Sequence, residues 1–247
     1  MIWKPRRGRQ TAKIPRVPEG LRVYAVGDVH GRLDLLTDLF SRIDVDRAGR
    51  PAKSTLQVFL GDYVDRGPRS REVLEAIIAR SRNLPLVSLK GNHESYFLEF
   101  LRNPEVLATW RLYGGLETLL SYDLAPSVAP DQQECKMLAS HLRKTMPKSH
   151  LRLLHDLELT FACGDYFFVH AGVKPGVALS HQQEEDLLWI RDEFLVHEES
   201  YGKVIVHGHT PVAEPDMKPN RINIDTGAYA TGRLTCLVLE NEERRFL

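Results

Sequence analysis

The chain has 247 residues, enough to bury a large core as one α/β domain. Its 33 Lys and Arg match its 33 Asp and Glu, so no net field recruits nucleic acid or a membrane surface. Cys135, Cys163 and Cys236 are widely spaced among apolar neighbours, which reads as reduced core thiols of a cytoplasmic protein rather than disulfides or a thiolate metal cage.

Residues 1–20 carry Lys4, Arg6, Arg7, Arg9, Lys13 and Arg16 among prolines, without the apolar stretch of a signal peptide, and predict a solvated basic arm. Residues 21–247 read as one domain, in which no run approaches the ~18 apolar residues of a membrane span. A strand over 21–27 closes in Gly27-Asp28-Val29-His30-Gly31. Leu33, Leu36, Leu39, Phe40 and Ile43 recur at helical spacing and predict an amphipathic helix over 32–43. A strand over 56–60 ends at Asp62. Ser70 opens a helix with an apolar stripe of Val73, Leu74, Ile77 and Ile78 after the break at Pro68.

The strand over 85–89 leads into Gly91-Asn92-His93-Glu94 and another helix. From about 103 to 156 the pattern is mostly helical, interrupted at Pro126, Pro130 and Pro147. This insertion carries Trp110, Tyr113 and a flexible Gly114-Gly115, and core packing is the expected fate of its aromatics. Strands follow over 157–161, 165–170, 203–207, 221–225 and 233–239, with one acidic helix over 183–199. Two stacked mixed β-sheets flanked by helices would bury all of these runs.

Five of the apolar runs end in a polar residue suited to metal: Asp28 with His30, Asp62, Asn92, His170 and His209. Ligands of open α/β sheets gather outside the carboxyl ends of the strands, so these groups are expected to converge. Two residues apart in an extended segment, Asp28 and His30 project to one side and can grip one ion. Asp62 offers two oxygens with which to bridge ions. Aspartate, asparagine and histidine without thiolate suit Mn, Fe or Zn, and the ligand count is that of a two-metal hydrolytic centre. His207 could share a face with His209 but is read as a neighbour of the ligands. His141, His150, His155, His181 and His197 follow no strand-end pattern and are expected at the surface.

Gly-Asp-Val-His-Gly at 27–31, Gly-Asp-Tyr-Val-Asp-Arg-Gly at 61–67 and Gly-Asn-His-Glu at 91–94 resemble the signature blocks of the phosphoprotein phosphatase family of calcineurin-like metallophosphoesterases. His170-Ala171-Gly172 and Gly208-His209-Thr210 resemble its later histidine motifs, and the match runs from about residue 21 to 240. The resemblance implies that Asp28 and His30 hold one divalent ion, Asp62 bridges, and Asn92, His170 and His209 hold a second, with manganese the expected metal. It further implies that a hydroxide shared by the ions is the nucleophile, that His93 oriented by Asp65 is the general acid, and that Arg66, Arg191 and Tyr229 meet the phosphate. Asp65 and Glu94 follow the serine/threonine phosphatase branch, so the expected partner is a phosphorylated protein or peptide. A symmetrical dinucleoside tetraphosphatase, which usually shows Ala-Arg-Gly and Asn-His-Asp there, is the alternative. A non-catalytic phosphate-binding scaffold is disfavoured, because no ligand, acid or arginine is missing.

Overall fold

Strand β1 (Leu21–Val26) faces two interiors at once, which is why its sequence is almost continuously apolar. Val23 and Ala25 point into one core, and Tyr24 and Val26 into another. The same split recurs in β2 (Ser54–Phe59), where Val58 and Phe59 face opposite ways, and in β5 (Tyr166–Val169) and β6 (Val204–His207). The computed structural model describes residues 14–247. Lys4, Arg6, Arg7, Arg9 and Lys13 of the expected basic arm lie outside the described residues. At the arm's end Val17 is buried in the core and the Arg16 amide donates to Asp165.

Two five-stranded mixed sheets stack face to face, as expected for a calcineurin-like metallophosphoesterase sandwich. The first has the order β10 (Glu243–Phe246), β9 (Cys236–Glu240), β1, β2, β3 (Leu86–Ser88). The second has the order β4 (Thr160–Cys163), β5, β6, β8 (Arg221–Asn223), β7 (Asp216–Met217). Val23, Val58, Tyr166, Phe168, Val206 and Leu237 meet between them. Helices α1 (Leu33–Gly49), α2 (Ser70–Ser81) and α3 (Asn92–Arg102) cover the outer face of the first sheet. The segment that follows is helical: α4 (Leu107–Trp110), α5 (Gly115–Ser121), α6 (Gln132–Thr145) and α7 (Lys148–His155). The second sheet's outer face is covered by α8 (Glu184–Trp189) and α9 (Asp192–Leu195), and a last short helix, α10 (Ala228–Thr231), follows β8. No helix among the described residues is long and apolar enough to cross a membrane.

Several expected elements differ from those observed. Helix α1 runs past Ile43 to Gly49, because Asp44 and Asp46 find partners in Arg80 and in Arg22 and Arg245 that no apolar period announces. The acidic helix expected over 183–199 breaks into α8 and α9 at Arg191, whose backbone is not helical (φ −131°, ψ −101°). Strand β10 was not expected from its polar sequence; it hydrogen-bonds β9 through a turn in which Asn241 takes a left-handed φ of 50°. All three cysteines are free and buried. His150 is buried rather than exposed, its Nδ1 within 2.7 Å of the Tyr122 hydroxyl.

The sandwich core sets the stability. Phe168→Ala, which empties a fully buried site between the sheets, is expected to cost about 3–5 kcal/mol in urea denaturation. Val128→Ala, at a side chain 90% exposed, should stay within ~0.5 kcal/mol of the parent. Equal losses would contradict this assignment of the core.

Candidate metal centre

Strands β1, β2 and β3 are parallel neighbours, as are β5, β6 and β8, so their carboxyl ends open into a common crevice. Asp28, Asp62 and Asn92 follow the three strands of the first sheet, and His170 and His209 follow β5 and β6. The loops that present them are sharply turned. Of seven non-glycine residues with positive φ among the described residues, five lie here: His30 (45°), Asp62 (52°), Asp65 (72°), Arg66 (65°) and His209 (65°). His30 therefore reaches the site from a left-handed turn and not from the extended segment that its spacing from Asp28 suggests.

Hydrogen bonding fixes which atoms face inward. His30 Nδ1 and His170 Nδ1 each lie 2.9 Å from a backbone carbonyl, of Val64 and Leu60, which can only accept. Both Nε2 atoms therefore present lone pairs. His30 Nε2 is 3.5 Å from Asp62 Oδ2, and His170 Nε2 is 3.4 Å from Asp62 Oδ1 and 2.9 Å from Asn92 Oδ1. His209 Nδ1 is also 2.9 Å from Asn92 Oδ1. Lone pairs facing lone pairs repel in a buried site, and a cation between them removes the repulsion. The donor set thus fits divalent metal.

Two sets of close donor atoms share Asp62: His30, Asp62 and His93 form one, and Asp62, His170 and His209 the other. Asp28 stands beside them with Oδ2 accepting from the His209 amide and buried Oδ1 without a partner among the described residues. Gly208 leaves room for it, since a Cβ there would sit 2.0 Å from Asp28 Oδ1.

Burial pushes the His30 imidazole down to about 3 and that of His209 to about 2, and lowers His170 too, so all three imidazoles are neutral at neutral pH, the form that can hold a cation. Burial, with Asp225 and Asp62 nearby, raises the Asp28 carboxyl well above the usual range. Burial likewise raises Asp225 to about 6. Sequence reasoning missed Asp225, although the run Ile222-Asn223-Ile224 ending in Asp225-Thr226-Gly227 follows the same strand-end pattern.

His93 sits in the first turn of α3 with Nδ1 2.6 Å from Asp65 Oδ2 and Nε2 3.3 Å from Arg66 Nη2. Burial would depress it, but the Asp62 and Asp65 carboxylates outweigh burial and hold it above its ordinary value. The Tyr229 ring lies 4.5 Å from the Arg66 guanidinium and meets His30 edge-on, so it borders the site while staying 40% exposed. Arg191, exposed at the break between α8 and α9, lies 3.4 Å from Thr210 Oγ1, next to His209. His207 is buried against Phe194, with Nδ1 near its neighbouring carbonyl, and belongs to neither donor set. Glu94 is buried beneath the loops and accepts from the amides of Gly91, Asp62, Tyr63 and Val64.

Comparison with known proteins agrees with this geometry. The chain is 27% identical over 233 residues to the asymmetrical bis(5'-nucleosyl)-tetraphosphatase PrpE of Anoxybacillus flavithermus, covering 86% of this chain and 88% of that protein. It is 32% identical over 158 residues to the symmetrical bis(5'-nucleosyl)-tetraphosphatase of Aromatoleum aromaticum, covering 63% of this chain and 46% of that one. Among solved structures, a cold-active protein tyrosine phosphatase of a psychrophilic Shewanella shares the fold, with a TM-score of 0.56 at 17% identity over 95% of this chain and 84% of that chain. The calcineurin-like phosphoesterase family model matches residues 21–237, and with the strand-end donor set described above this chain belongs to that family of metallophosphoesterases.

Proposed function

We propose that the protein is a two-metal phosphohydrolase that cleaves dinucleoside tetraphosphates, releasing a nucleoside monophosphate and a nucleoside triphosphate. The observation that carries the hydrolase reading is the pair of donor sets sharing Asp62, with the His93–Asp65 pair and Arg66 at their edge. Asp28 and His30 would hold one ion and Asn92, His170 and His209 the other, with Asp62 shared between the two sets; manganese is among the metals such a donor set suits. When bound, the ions supply Lewis acidity and a water ionised at neutral pH.

The remaining steps belong to side chains. His93 approaches the His30–Asp62 set, but its engagement by Asp65 and its raised proton affinity keep it off the metal and make it the general acid for the leaving oxygen. Arg66 contacts His93 Nε2 in a way that requires an unprotonated nitrogen. Turning the guanidinium onto a phosphoryl oxygen frees that nitrogen to carry a proton. Arg191 approaches from the other side of the crevice, and Tyr229 supports the Arg66 guanidinium by a cation–π contact.

The nucleotide reading draws on the relatives that align with about 85% of the chain and are named asymmetrical tetraphosphatases. It replaces the phosphoprotein partner expected from the motifs, which retains one specific argument. Asp65 and Glu94 stand where the serine/threonine phosphatase branch has them, and Glu94 satisfies four amides that a shorter aspartate would not span.

Chelation followed by dialysis should abolish hydrolysis and Mn²⁺ should restore it; a fully active chelated preparation would overturn the metal role. Diadenosine tetraphosphate should be cleaved with a higher kcat/KM than a phosphothreonine peptide, with AMP and ATP resolved as products. The reverse preference would return the assignment to the protein phosphatase branch, and two ADP molecules would move the point of cleavage.

His93→Asn should lower kcat by ~10²-fold or more while bound metal, read by mass spectrometry, stays at the parental level. Loss of metal would make His93 a ligand instead. Arg66→Ala should weaken transition-state binding by roughly 1.5–3 kcal/mol, read as kcat/KM, since a charge-assisted contact to phosphate is lost. An unchanged kcat/KM would remove Arg66 from the site.

A further inference from the structure

The helical segment after α3 meets the crevice at Asp65. Trp110, at the end of α4, is fully buried, and its indole N–H donates to Asp65 Oδ2 at 2.7 Å. The same oxygen faces His93 Nδ1 at 2.6 Å. From α5, the Thr118 hydroxyl donates to Asp65 Oδ1 at 2.6 Å and its oxygen accepts the Asp65 amide at 2.8 Å. Ser70 Oγ accepts that amide as well, at 3.0 Å. The carboxylate is thereby held at both oxygens, in a residue whose left-handed backbone is otherwise unfavourable.

The two turns that deliver these groups are built for close approach. The Gly114 carbonyl accepts the Arg66 amide at 3.1 Å, and a Cβ on Gly114 would lie 2.6 Å from the Arg66 nitrogen. A Cβ on Gly115 would lie 2.4 Å from the indole ring of Trp110. This glycine pair, which reads in sequence as a flexible joint, is a tight contact. The indole is itself fixed between Phe97, stacked at 5.6 Å, and Phe100 at 5.3 Å. Phe97 and Phe100 stand on α3, the helix that carries His93 in its first turn.

We propose that Trp110 and Thr118 are positioning residues for proton delivery: by fixing both oxygens of Asp65 they hold the His93 ring in line with the leaving oxygen. This rests on His93 acting as the general acid. It adds that the helical segment is part of the reaction machinery through two hydrogen bonds, neither of which touches substrate or metal. A hydrogen bond to the carboxylate restricts its rotation, and the carboxylate in turn restricts the imidazole, as second partners orient the ligands of metal sites.

Trp110→Phe removes the N–H and leaves a ring to stack on Phe97 and Phe100; Thr118→Val removes the hydroxyl, and Thr118→Ser restores it. Each variant, with His93→Asn as reference, is assayed on phenyl phosphate, a poor leaving group that needs protonation, and on p-nitrophenyl phosphate, a good one that needs less. Bound metal and Tm are measured in parallel. Trp110→Phe and Thr118→Val should each lose roughly tenfold in kcat on phenyl phosphate and markedly less on p-nitrophenyl phosphate, with metal content unchanged. Thr118→Ser should recover the parental ratio of the two rates.

An equal loss on both substrates, or loss of metal, would reduce these contacts to fold support and overturn the proposal. If His93→Asn shows the leaving-group dependence and neither segment variant does, the positioning role alone fails. If His93→Asn lacks that dependence, the general-acid reading fails and the positioning role falls with it.

Discussion

The site depends on one buried carboxylate. Glu94 accepts hydrogen bonds from the amides of Gly91, Asp62, Tyr63 and Val64, and so ties the loop after β2 to the start of α3. Those two segments carry Asp62, which belongs to both donor sets, Asn92 and the His93–Asp65 pair. Asp62, Asp65 and Arg66 all hold left-handed backbones, each of which costs on the order of 1–3 kcal/mol unless its surroundings enforce it. Hydrogen bonds to a charged acceptor contribute about 1.5–3 kcal/mol apiece, the magnitude needed to offset that strain. Burial, with Asp62 close by, raises Glu94 to about 7; burial acts in the same direction on Asp62 but is outweighed by the neighbouring imidazoles in their protonated forms, which hold its carboxyl low. A cation near Asp62 would favour the ionised form of both carboxylates, and with it the hydrogen bonds that hold the loop.

Much of this was legible in the sequence because strands buried on both faces leave continuous apolar runs, and the polar residue that ends each run is visible against them. Asp28, Asp62, Asn92, His170 and His209 were found that way, and the structure brings them together. Asp225 carries the same signature at the end of β8. Backbone conformation was not legible: His30 enters from a left-handed turn, and Arg191 marks a break that the acidic pattern of 183–199 conceals. Nor were contacts between distant segments. Trp110 and Asp65 are 45 residues apart, and nothing in either neighbourhood announces the hydrogen bond between them. His150 was misplaced for a similar reason, since its partner Tyr122 lies at the end of α5, 28 residues away.

On the function proposed above, the centre would meet a phosphoryl group and little more, because its inward-facing atoms are carboxylate, amide and imidazole donors for cations with Arg66 at their edge. What surrounds the phosphoryl group is met further out, by side chains on separate elements. Tyr229 on α10 borders the crevice on one side. On the other, Trp189 stands edge-on to His209 and touches Tyr96, which stacks on Tyr113. These aromatics come from α3, the 3₁₀ turn before α5, and α8, so substrate preference can change without disturbing the strand ends.

The order of the first sheet places β1 between β2 and β9. Arg22 pairs with Glu240, and the Gly27 amide, one residue before Asp28, donates to the Thr235 carbonyl. A nascent chain that has emerged only as far as β8 therefore lacks one whole side of its central strand. Closing so long a loop is slow, and it awaits the last residues of the sheet to leave the ribosome. The strand that carries the Asp28 loop is paired on both sides only once β9 has formed, and until then the unpaired edge of β1 is open to whatever chaperone or neighbouring chain meets it first.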